Sequence, residues 1–378
     1  MSAPAALQST PALFSRPIAV LILLCMGCAF AGNHIAARVA FDDGAGVLLA
    51  ILMRSGGTLL VLAVLVALAV DRLWGEPPVR WHPVVWMGRY LGWAGQRIAP
   101  TPAEAPDLPA WRPALLGALA WLAGAGLVGT LAWTLAWALG TGLAGAPVWL
   151  NGLLLGLLLK PLLAWRMLAD EVRAVEQALS AGLQAGRDRL AWLVSRDVNR
   201  LDEAQVRESA METLAENLND SVVAPLFWFV VAGLPGAAVY RFANTADAMW
   251  GYRGERGGRI WTWAGCWAAR TDDVLSWLPA RITAALLWLA APAGRAAMDW
   301  SRVRSDAALT PSPNSGWPMA TLAHLAGVRL SKPGHYVLHP AGRTAQSADV
   351  ALALRLGGRA VALMGFVALV LGAVGAAA

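Results

Sequence analysis

The chain has 378 residues, of which 57% are hydrophobic and only 14% are charged. This balance, with a mean hydropathy of +0.52, excludes an ordinary soluble domain and indicates a polytopic membrane protein. The formal net charge of +6 comes almost wholly from Arg, which near a membrane indicates cytoplasmic loops and contact with anionic lipids. No basic stretch is interleaved with aromatic side chains in the way that nucleic-acid binding requires.

Apolar runs long enough to cross a bilayer recur along the sequence, and the 20 Trp residues suit belts at the membrane interface. We predict an all-α fold: a polytopic helical integral membrane protein with amphipathic cytoplasmic helices and a re-entrant segment. The predicted spans are 17–31, 47–70, 115–139, 148–163 and 361–377, whereas the run at 282–291 is short for a span. The region 164–190 has an amphipathic pattern whose charges are expected to face solvent.

Cys25 and Cys28 form a C-x-x-C inside an apolar run with no second pair, so neither a metal nor a redox role is predicted.

The connection after the second apolar run, VDRLWGEPPVRWHPVVWMGRYL at 70–91, has a distinct polar character. The prolines that follow Glu76 stop the helix, so Asp71, Glu76 and His82 are expected on a short, rigid segment at the bilayer surface. A single His beside Pro is as often structural as functional, and both interpretations of His82 stay open at this point.

The most informative stretch is 195–253, which opens with a helix whose acidic side chains share a face. Asp202 starts this helix, and Gln205 follows at capping-box spacing. Positions i, i+4, i+8 and i+11 lie on one face, with Asp220 at its edge; they are Glu208, Glu212, Glu216 and Asn219. Acidic neighbours one turn apart repel each other unless a cation compensates. The face is therefore either a solvated surface or a set of oxygen ligands for a hard cation such as magnesium.

An apolar segment at 222–240 follows this helix and is interrupted by Pro and Gly. After it come Asn244 and Asp247, three residues apart, where they can share a helix face. A straight span would place these two residues across the membrane from Glu212 and Glu216. We therefore predict a re-entrant or broken pair of half-helices with both ends on the cytoplasmic side, since irregular backbone at membrane depth is tolerated where protein covers it.

The rest of the chain adds polar groups to this candidate site. The loop at 251–258 is rich in Gly and Arg, so its backbone N–H groups and Arg253 suit a phosphate, although a plain flexible loop has the same composition. The adjacent Asp272 and Asp273 point to different helix faces, so at most one of them is expected in a shared site. The segment 298–338 is predicted to lie outside the membrane, with SPNSGWP as a polar turn. The sequence contains no Walker phosphate loop, no dinucleotide fingerprint and no H-E-x-x-H.

Several motifs, taken in order, resemble those of one family. DRLWGEPP with HPVVWMG, SRD with ETLAENLNDSVVAPLFW, YRFANTADAMWGYR, the region 265–279 and SPNSGWP closely resemble the CobD/CbiB family of adenosylcobinamide-phosphate synthases. The resemblance runs from about residue 62 to the C-terminus. The family's usual Gly-Asp-Pro is Gly75-Glu76-Pro77 here, which keeps the carboxylate.

A second, shorter resemblance precedes it. AGNHIAARVAFDDGAGVLLAILMRSGG at 31–57 is similar to the opening helices of the drug/metabolite transporter superfamily. We therefore divide the chain into an N-terminal extension with apolar helices at 1–60 and a CobD/CbiB-like membrane synthase domain at 61–378. One added span would invert the orientation of every later loop, whereas two would preserve it.

The family resemblance implies ATP-dependent formation of an amide bond that joins adenosylcobyric acid to aminopropanol or its O-phosphate. ATP and Mg²⁺ are the cofactors that it implies, and the corrinoid and the amine are the substrates. The lipid bilayer is a partner, other enzymes of the corrinoid pathway are candidate partners, and no nucleic acid is expected. The expected location is the cell inner (plasma) membrane, which the chain would cross several times.

Candidate roles follow from this resemblance together with the residue types. The candidate catalytic carboxylates are Glu212, Glu216, Asp220, Asp247 and Asp272, of which the first three are also the candidate metal ligands. The candidate cofactor-binding residues are Arg196, Asn217, Asn244, Arg253, His82 and Asn314. As a group, the carboxylates are expected to hold magnesium and to provide a general base, and the Arg residues are expected to hold phosphate.

Other functions stay open on the sequence alone. A transporter or permease is suggested by the hydrophobicity and by the N-terminal resemblance, and its ionisable residues would line a pathway between spans. A non-catalytic membrane partner or sensor would use the acidic helix to dock another protein. Nucleotide binding separates the enzyme from both alternatives.

Overall fold

The computed structural model describes residues 47–295 and 298–377. The helices of the first half are α1 (Val47–Trp74), α2 (Pro83–Ile98), α3 (Trp111–Gly142), α4 (Val148–Leu159), α5 (Trp165–Ala181), α6 (Leu183–Leu190) and α7 (Glu203–Leu218). Those of the second half are α8 (Ala224–Trp250), α9 (Cys266–Leu275), α10 (Trp277–Ala290), α11 (Trp300–Ala307), α12 (Gly316–Ala326) and α13 (Ser347–Ala377). Short antiparallel hairpins pair β1 (Glu255–Arg256) with β2 (Arg259–Ile260) and β3 (Leu330–Lys332) with β4 (Tyr336–Leu338). The predicted helical class is confirmed.

The helical segments that are long and apolar enough to cross a membrane are Gly57–Trp74, Trp111–Gly142, Val148–Ala181, Glu203–Trp250 and Ser347–Leu369. The pair α9 and α10, bent by 46° between the two helices, passes the same test only as a unit. The polytopic prediction is thereby confirmed. The spans predicted at 47–70, 115–139 and 148–163 coincide with α1, α3 and α4, whereas α13 begins well before the span predicted at 361–377. The span predicted at 17–31 lies outside the described residues.

Helices α1 and α4 pack closely because small residues of α4 face α1. A Cβ atom at Gly156 would lie 2.7 Å from the carbonyl oxygen of Ala63, so only glycine permits this approach. On α3, by contrast, large apolar side chains are exposed; they include Leu115, Leu119, Leu122, Leu127, Leu131, Trp133 and Trp137. On a helix of spanning length, such a surface is suited to lipid.

Helix α7 begins where the sequence predicts. The Asp202 carboxylate accepts the Gln205 backbone N–H at 2.8 Å, and the Gln205 side-chain oxygen accepts the Asp202 backbone N–H at 2.9 Å. This reciprocal cap satisfies donors that the first turn of a helix leaves free. The segment before the cap passes alongside α7 and places the Arg196 guanidinium 2.9 Å from the Glu212 carboxylate.

Helix α8 is broken near its middle. Gly233 has φ +65° and ψ −160°, a backbone conformation that is open essentially to glycine alone. The chain reverses at this point, since Arg241 donates to the carbonyl oxygen of Asp220 at 3.1 Å although 21 residues separate them. The segment 222–240 therefore enters and returns as a pair of half-helices, as predicted. The location of both of its ends on the cytoplasmic side stays a prediction.

The segment after α10 is built from short elements: α11, α12 and the β3–β4 hairpin. Helix α12 and strand β3 pack against α7. None of these described elements has the length of a span, in agreement with the predicted extramembranous segment. The SPNSGWP motif forms a turn over its first residues, and α12 begins at Gly316 within it.

Region 164–190 forms α5 and α6, which are separated at Gly182. Its charges pair at the surface, as predicted; Arg173, for example, lies 2.6 Å from Asp170. The domain boundary predicted at residue 60 lies inside α1, and residues 1–46 are outside the described part of the chain. The division into an extension and a synthase domain stays a prediction.

The reversal in α8 predicts on which side of the membrane the neighbouring loops lie. In a chain without its native cysteines, Ser195→Cys before α7 and Glu255→Cys in β1 should face the same side. Ala144→Cys, in the turn between α3 and α4, should face the other side. The reason is that α3 leaves from beside the β1–β2 hairpin, where Arg259 donates to the carbonyl oxygen of Ala99 at 2.8 Å, and then crosses.

Labelling of intact cells with a membrane-impermeant thiol reagent measures this sidedness. Ala144→Cys is expected to react from outside, whereas Ser195→Cys and Glu255→Cys are expected to react only after lysis. Opposite responses from Ser195→Cys and Glu255→Cys would mean that the segment between them crosses the membrane, and the hairpin would be wrong.

Gly233→Ala should destabilise the protein by about 1–3 kcal/mol, because a Cβ atom is strained in this backbone conformation. Gly126→Ala on α3 is the matched control, since its Cβ would meet nothing within 4 Å and its backbone is helical. Thermal unfolding of the detergent-solubilised protein is the measurement. Equal unfolding temperatures for Gly233→Ala and the wild type would contradict a reversal at this residue.

Candidate active site

The acidic face of α7 is buried, so its interpretation as a solvated surface is wrong. Glu208 is 0% exposed and Glu212 is 1% exposed. Glu208 accepts a hydrogen bond from the Ser331 hydroxyl and lies 3.4 Å from the Arg329 guanidinium. Both partners come from the β3 region, which covers this face of the helix.

Glu212, one turn farther along α7, lies between an arginine and a tyrosine. One carboxylate oxygen accepts from Arg196 at 2.9 Å, and Arg196 also donates to the Ser209 hydroxyl at 3.2 Å. The Tyr336 phenol from β4 lies beside this carboxylate. Burial, together with Glu212 and Glu216 nearby, holds the pKa of Tyr336 well above its usual value, so the phenol keeps its proton. The other carboxylate oxygen, Oε1, is buried and has no hydrogen-bond partner within the described part of the chain.

Glu216 and Asp220 continue the acidic row toward the hairpin of α8. Both are half-buried. Asp220 lies in a π-helical turn, Asn219–Val223, and accepts from the Asn219 amide at 2.8 Å. Glu216 lies within electrostatic reach of Glu212 and Asp220, and of the cations Lys332 and Arg196. The row predicted from helical spacing is therefore one continuous acidic array.

The returning half of α8 adds the groups that a straight span would have kept away. The Arg241 guanidinium donates to the Ser221 hydroxyl at 3.1 Å and to the Asn244 side-chain oxygen at 3.3 Å. Asn244 in turn lies beside Asp220. Asp247, one turn farther, is half-buried and lies within electrostatic reach of Asp220. The juxtaposition predicted for Asn244 and Asp247 is confirmed.

Helix α9 directs its two adjacent carboxylates toward different neighbours, as their positions on different helix faces predict. Asp272 is buried and lies 3.4 Å from the Asn244 amide nitrogen. Asp273 is close to Asp247 and accepts from the Ser312 hydroxyl at 3.0 Å. Asp272 therefore faces the α8 hairpin, whereas Asp273 lies at the border of the cluster against the 311–315 turn.

The last turn of α1 and the connection after it join the same region through an ion cluster. Asp71 lies inside α1 and is buried, so its predicted place on the connection at the bilayer surface is wrong, whereas Glu76 and His82 follow the helix as predicted. Lys160 Nζ lies 2.8 Å from Glu76 Oε1 and 3.2 Å from Asp71 Oδ1, and His82 Nε2 lies 3.0 Å from Glu76 Oε2. Burial alone would raise the pKa of Glu76, but hydrogen bonds from His82 and Lys160 hold it below its usual value. Glu76 is within electrostatic reach of Arg241. The DRLWGEPP motif therefore lies near the YRFANTADAMWGYR motif.

Some predicted residues have structural partners instead of facing the carboxylate cluster. The Asn217 amide donates to the Thr213 carbonyl oxygen at 3.1 Å within its own helix. Asn314 is buried, donates to the Asp273 carbonyl oxygen at 2.7 Å and accepts from Arg281 at 3.0 Å, so it holds the turn against α9. His82 binds Glu76. Arg253 is exposed and lies within electrostatic reach of Asp273.

The loop at 251–258 offers less charge to a phosphate than its composition indicates. The Arg256 guanidinium stacks over the Tyr252 ring at 3.6 Å from its centroid. Arg259 donates to Ala99, as described above. Arg253 is the member of this group that lies near the acidic cluster.

Sequence reasoning missed several residues that complete the site. Lys160, Arg241, Tyr336, Ser331, Lys332 and Arg329 were not among the candidates. For Lys160 a signal existed, because a lone Lys at the end of an apolar run is costly unless it is paired. Arg241 had the same signal, since it follows an apolar segment directly.

Comparisons with known proteins identify the family of the chain. Residues 64–364 match the model of the family described as CobD/Cbib protein. The chain is 42% identical over 272 residues to a cobalamin biosynthesis protein CobD of Chromobacterium violaceum, covering 72% of this chain and 81% of the relative. It is 38% identical over 283 residues to a probable cobalamin biosynthesis protein CobD of Methanothermobacter thermautotrophicus, with coverage of 74% and 86%.

A relative from Brucella suis, also a cobalamin biosynthesis protein CobD, is 36% identical over 319 residues, which cover 79% of this chain and 92% of the relative. No solved structure matches the chain. The matched region begins inside α1 and includes every side chain of the acidic cluster. The extent of these matches shows that the chain belongs to the CobD/CbiB family.

Proposed function

We propose that the protein acts in cobalamin biosynthesis as an adenosylcobinamide-phosphate synthase. In this role it joins the carboxylate of adenosylcobyric acid to aminopropanol or its O-phosphate with ATP. The observation that carries the proposal is the acidic cluster assembled from α7, the α8 hairpin and α9 in a member of this family. Its members are Glu212, Glu216, Asp220, Asp247, Asp272 and Asp273.

The residue types of the cluster suit a magnesium ion. Carboxylate oxygens are the ligands that Mg²⁺ prefers, and Glu212 Oε1 is buried without a hydrogen-bond partner among the described residues. Glu216 and Asp220 follow on the same row and are only half-buried. The oxygens of Glu212, Glu216 and Asp220 do not come together as one set of three ligands among the described residues. One or two carboxylates of this row would therefore hold the ion, and water and the phosphates of ATP, whose charge the ion neutralises, would fill its other positions.

Cationic side chains beside the carboxylates suit the phosphate groups themselves. Arg196 is partly exposed and is positioned by Glu212. The Nε atom of Arg241 is buried and has no hydrogen-bond partner in the described structure, so one donor of this guanidinium stays available. Guanidinium groups bind phosphate oxygens with charge-assisted hydrogen bonds. Arg253, at the outer edge, adds positive charge on the side of the β1–β2 hairpin.

Amide formation requires an activated carboxylate, and ATP supplies this activation by forming an acyl phosphate with loss of ADP. The amine nitrogen then attacks the acyl carbon, phosphate leaves, and one amine proton must be taken up. Asp247 is the best-placed acceptor, because it is half-buried and no side-chain hydrogen bond occupies it among the described residues. The remaining role of the protein is to align amine and acyl carbon.

The location of the cluster suits a large amphipathic corrinoid. Apolar half-helices lie on one side of it and the polar β3–β4 hairpin on the other, so the site borders both lipid and water.

We place the protein in the cell inner (plasma) membrane, where ATP reaches the site from the cytoplasm. Other corrinoid-pathway enzymes are candidate partners for passing on the substrate and the product.

The buried acidic row also argues against the two alternative functions, a partner-docking protein and a permease. A protein that docks a partner through α7 needs an exposed acidic face, but Glu208 and Glu212 are covered by the segment containing β3 and β4. A permease needs charges along a path between spans, whereas these carboxylates lie at the open end of the α8 hairpin, away from the reversal at Gly233.

Deletion of the gene tests the proposed function directly. Cells without it should accumulate cobyric acid, because the amide is not formed, and added cobinamide should restore cobalamin-dependent growth. Corrinoid analysis by liquid chromatography is the measurement. Growth that stays dependent on cobalamin despite added cobinamide would place the defect at a later step and contradict the proposal.

Glu212→Gln and Glu216→Gln should each lower synthase activity by at least about 10-fold and abolish complementation, because each removes a charge from the cation site. Glu203→Gln is the matched control on the same helix, since Glu203 is exposed and pairs only with Arg207 at its start. Complementation and the amount of protein in membranes are measured together. Full activity of both variants would contradict the cation site, and loss of protein along with activity would show that the residues serve folding.

A further inference from the structure

A cluster of metal-ligating side chains lies outside the acidic site, in the segment after α10. Asp306 on α11, His324 on α12 and His339 after β4 each offer a ligand atom, and these atoms lie within 4.8 Å of one another. His324 Nε2 is 2.7 Å from Asp306 Oδ2, and the two imidazole rings have their centroids 4.1 Å apart. All three side chains are half-buried, so the cluster is shielded yet reachable from solvent.

The backbone holds His339 in place by unusual means. His339 has φ +49° and is the single non-glycine residue with positive φ in the described part of the chain. Its backbone N–H donates to Asp306 Oδ2 at 3.0 Å. A Cβ atom at Gly342 would lie 2.6 Å from His339 Cδ2, so glycine there leaves room for the ring. Strained backbone persists where the surrounding structure fixes it, and such residues cluster at ligand sites.

We infer that Asp306, His324 and His339 form a second metal site, specific for a divalent first-row transition metal of the zinc class. Neutral imidazole together with one carboxylate is a donor set that zinc and its neighbours prefer. Magnesium prefers oxygen ligands alone and is expected at the acidic cluster instead. Three protein ligands leave a coordination position for water.

The position of this metal site gives it a role in bracing the enzyme. The turn between α11 and α12 carries Ser312 and Asn314, which contact Asp273. The β3–β4 hairpin, which ends just before His339, carries Ser331 and Tyr336 beside the α7 carboxylates. A metal bound at Asp306, His324 and His339 would hold these two segments together.

Zinc binding by the purified full-length protein tests the inference, with an affinity tag that contains no histidine. After treatment with a chelator and dialysis, the protein is titrated with zinc against a chromophoric competitor. We expect saturable binding of one ion, unaffected by millimolar magnesium. His324→Ala should weaken the binding by at least about 10-fold. His335→Ala is the matched control on the β3–β4 turn, where His335 is exposed, and should bind as the wild type does.

A second variant keeps the test independent of folding defects. His339→Gly removes the ligand and also relieves the positive φ, so it should fold at least as well as the wild type without metal. Zinc should raise the unfolding temperature of the wild type and of His335→Ala but not that of His339→Gly. Absence of saturable zinc binding in the wild type, or wild-type affinity in both His324→Ala and His339→Gly, would overturn the inference.

Discussion

The hydrogen bonds of Arg241 to the carbonyl oxygen of Asp220 and to the Ser221 hydroxyl hold the centre of the molecule together. They join the two half-helices on either side of the reversal at Gly233. They also give the carbonyl oxygen of Asp220 a hydrogen-bond donor, which a backbone group needs where water is scarce. Asn244, which lies beside Asp220, adds a further polar contact between the two halves. The positions of Asn244 and Asp247 next to the acidic end of α7 depend on this closure.

The carboxylates divide into those that form an ion pair with a cation and those that form none among the described residues. Asp71 and Glu76 share Lys160, Glu208 faces Arg329, and Glu212 faces Arg196. Glu216 and Asp247, in contrast, lie mainly among other carboxylates. Uncompensated charge in a poorly hydrated site costs several kcal/mol per ion. The arrangement is therefore understandable if the second group is completed by a bound cation, whereas the first group holds the framework.

The sequence predicted those parts of the site that local rules control. Spacing of four residues set Glu212 and Glu216 on one face, and Pro and Gly in 222–240 indicated the broken helix. The sequence did not predict contacts between distant segments. Lys160 contacts Glu76, which is 84 residues away in the sequence, and Ser331 contacts Glu208, which is 123 residues away. No periodicity relates such positions, so their pairing follows only from how the helices pack. For the same reason the acidic face was open to interpretation as solvated, since the β3–β4 segment that covers it lies far along the chain.

The fold also explains why chemistry on charged substrates can take place in a chain this apolar. A carboxylate row at the centre of a spanning helix would face lipid, which is strongly unfavourable. Here the row lies on α7, outside the half-helices, and is covered by α12 and the β3–β4 hairpin. Only the π-helical turn at Asn219–Val223 and the returning half-helix extend the polar region toward the apolar segment. A reactive centre at that border contacts water-borne phosphate from one side and an apolar ring system from the other, which neither a spanning bundle nor a soluble domain alone provides.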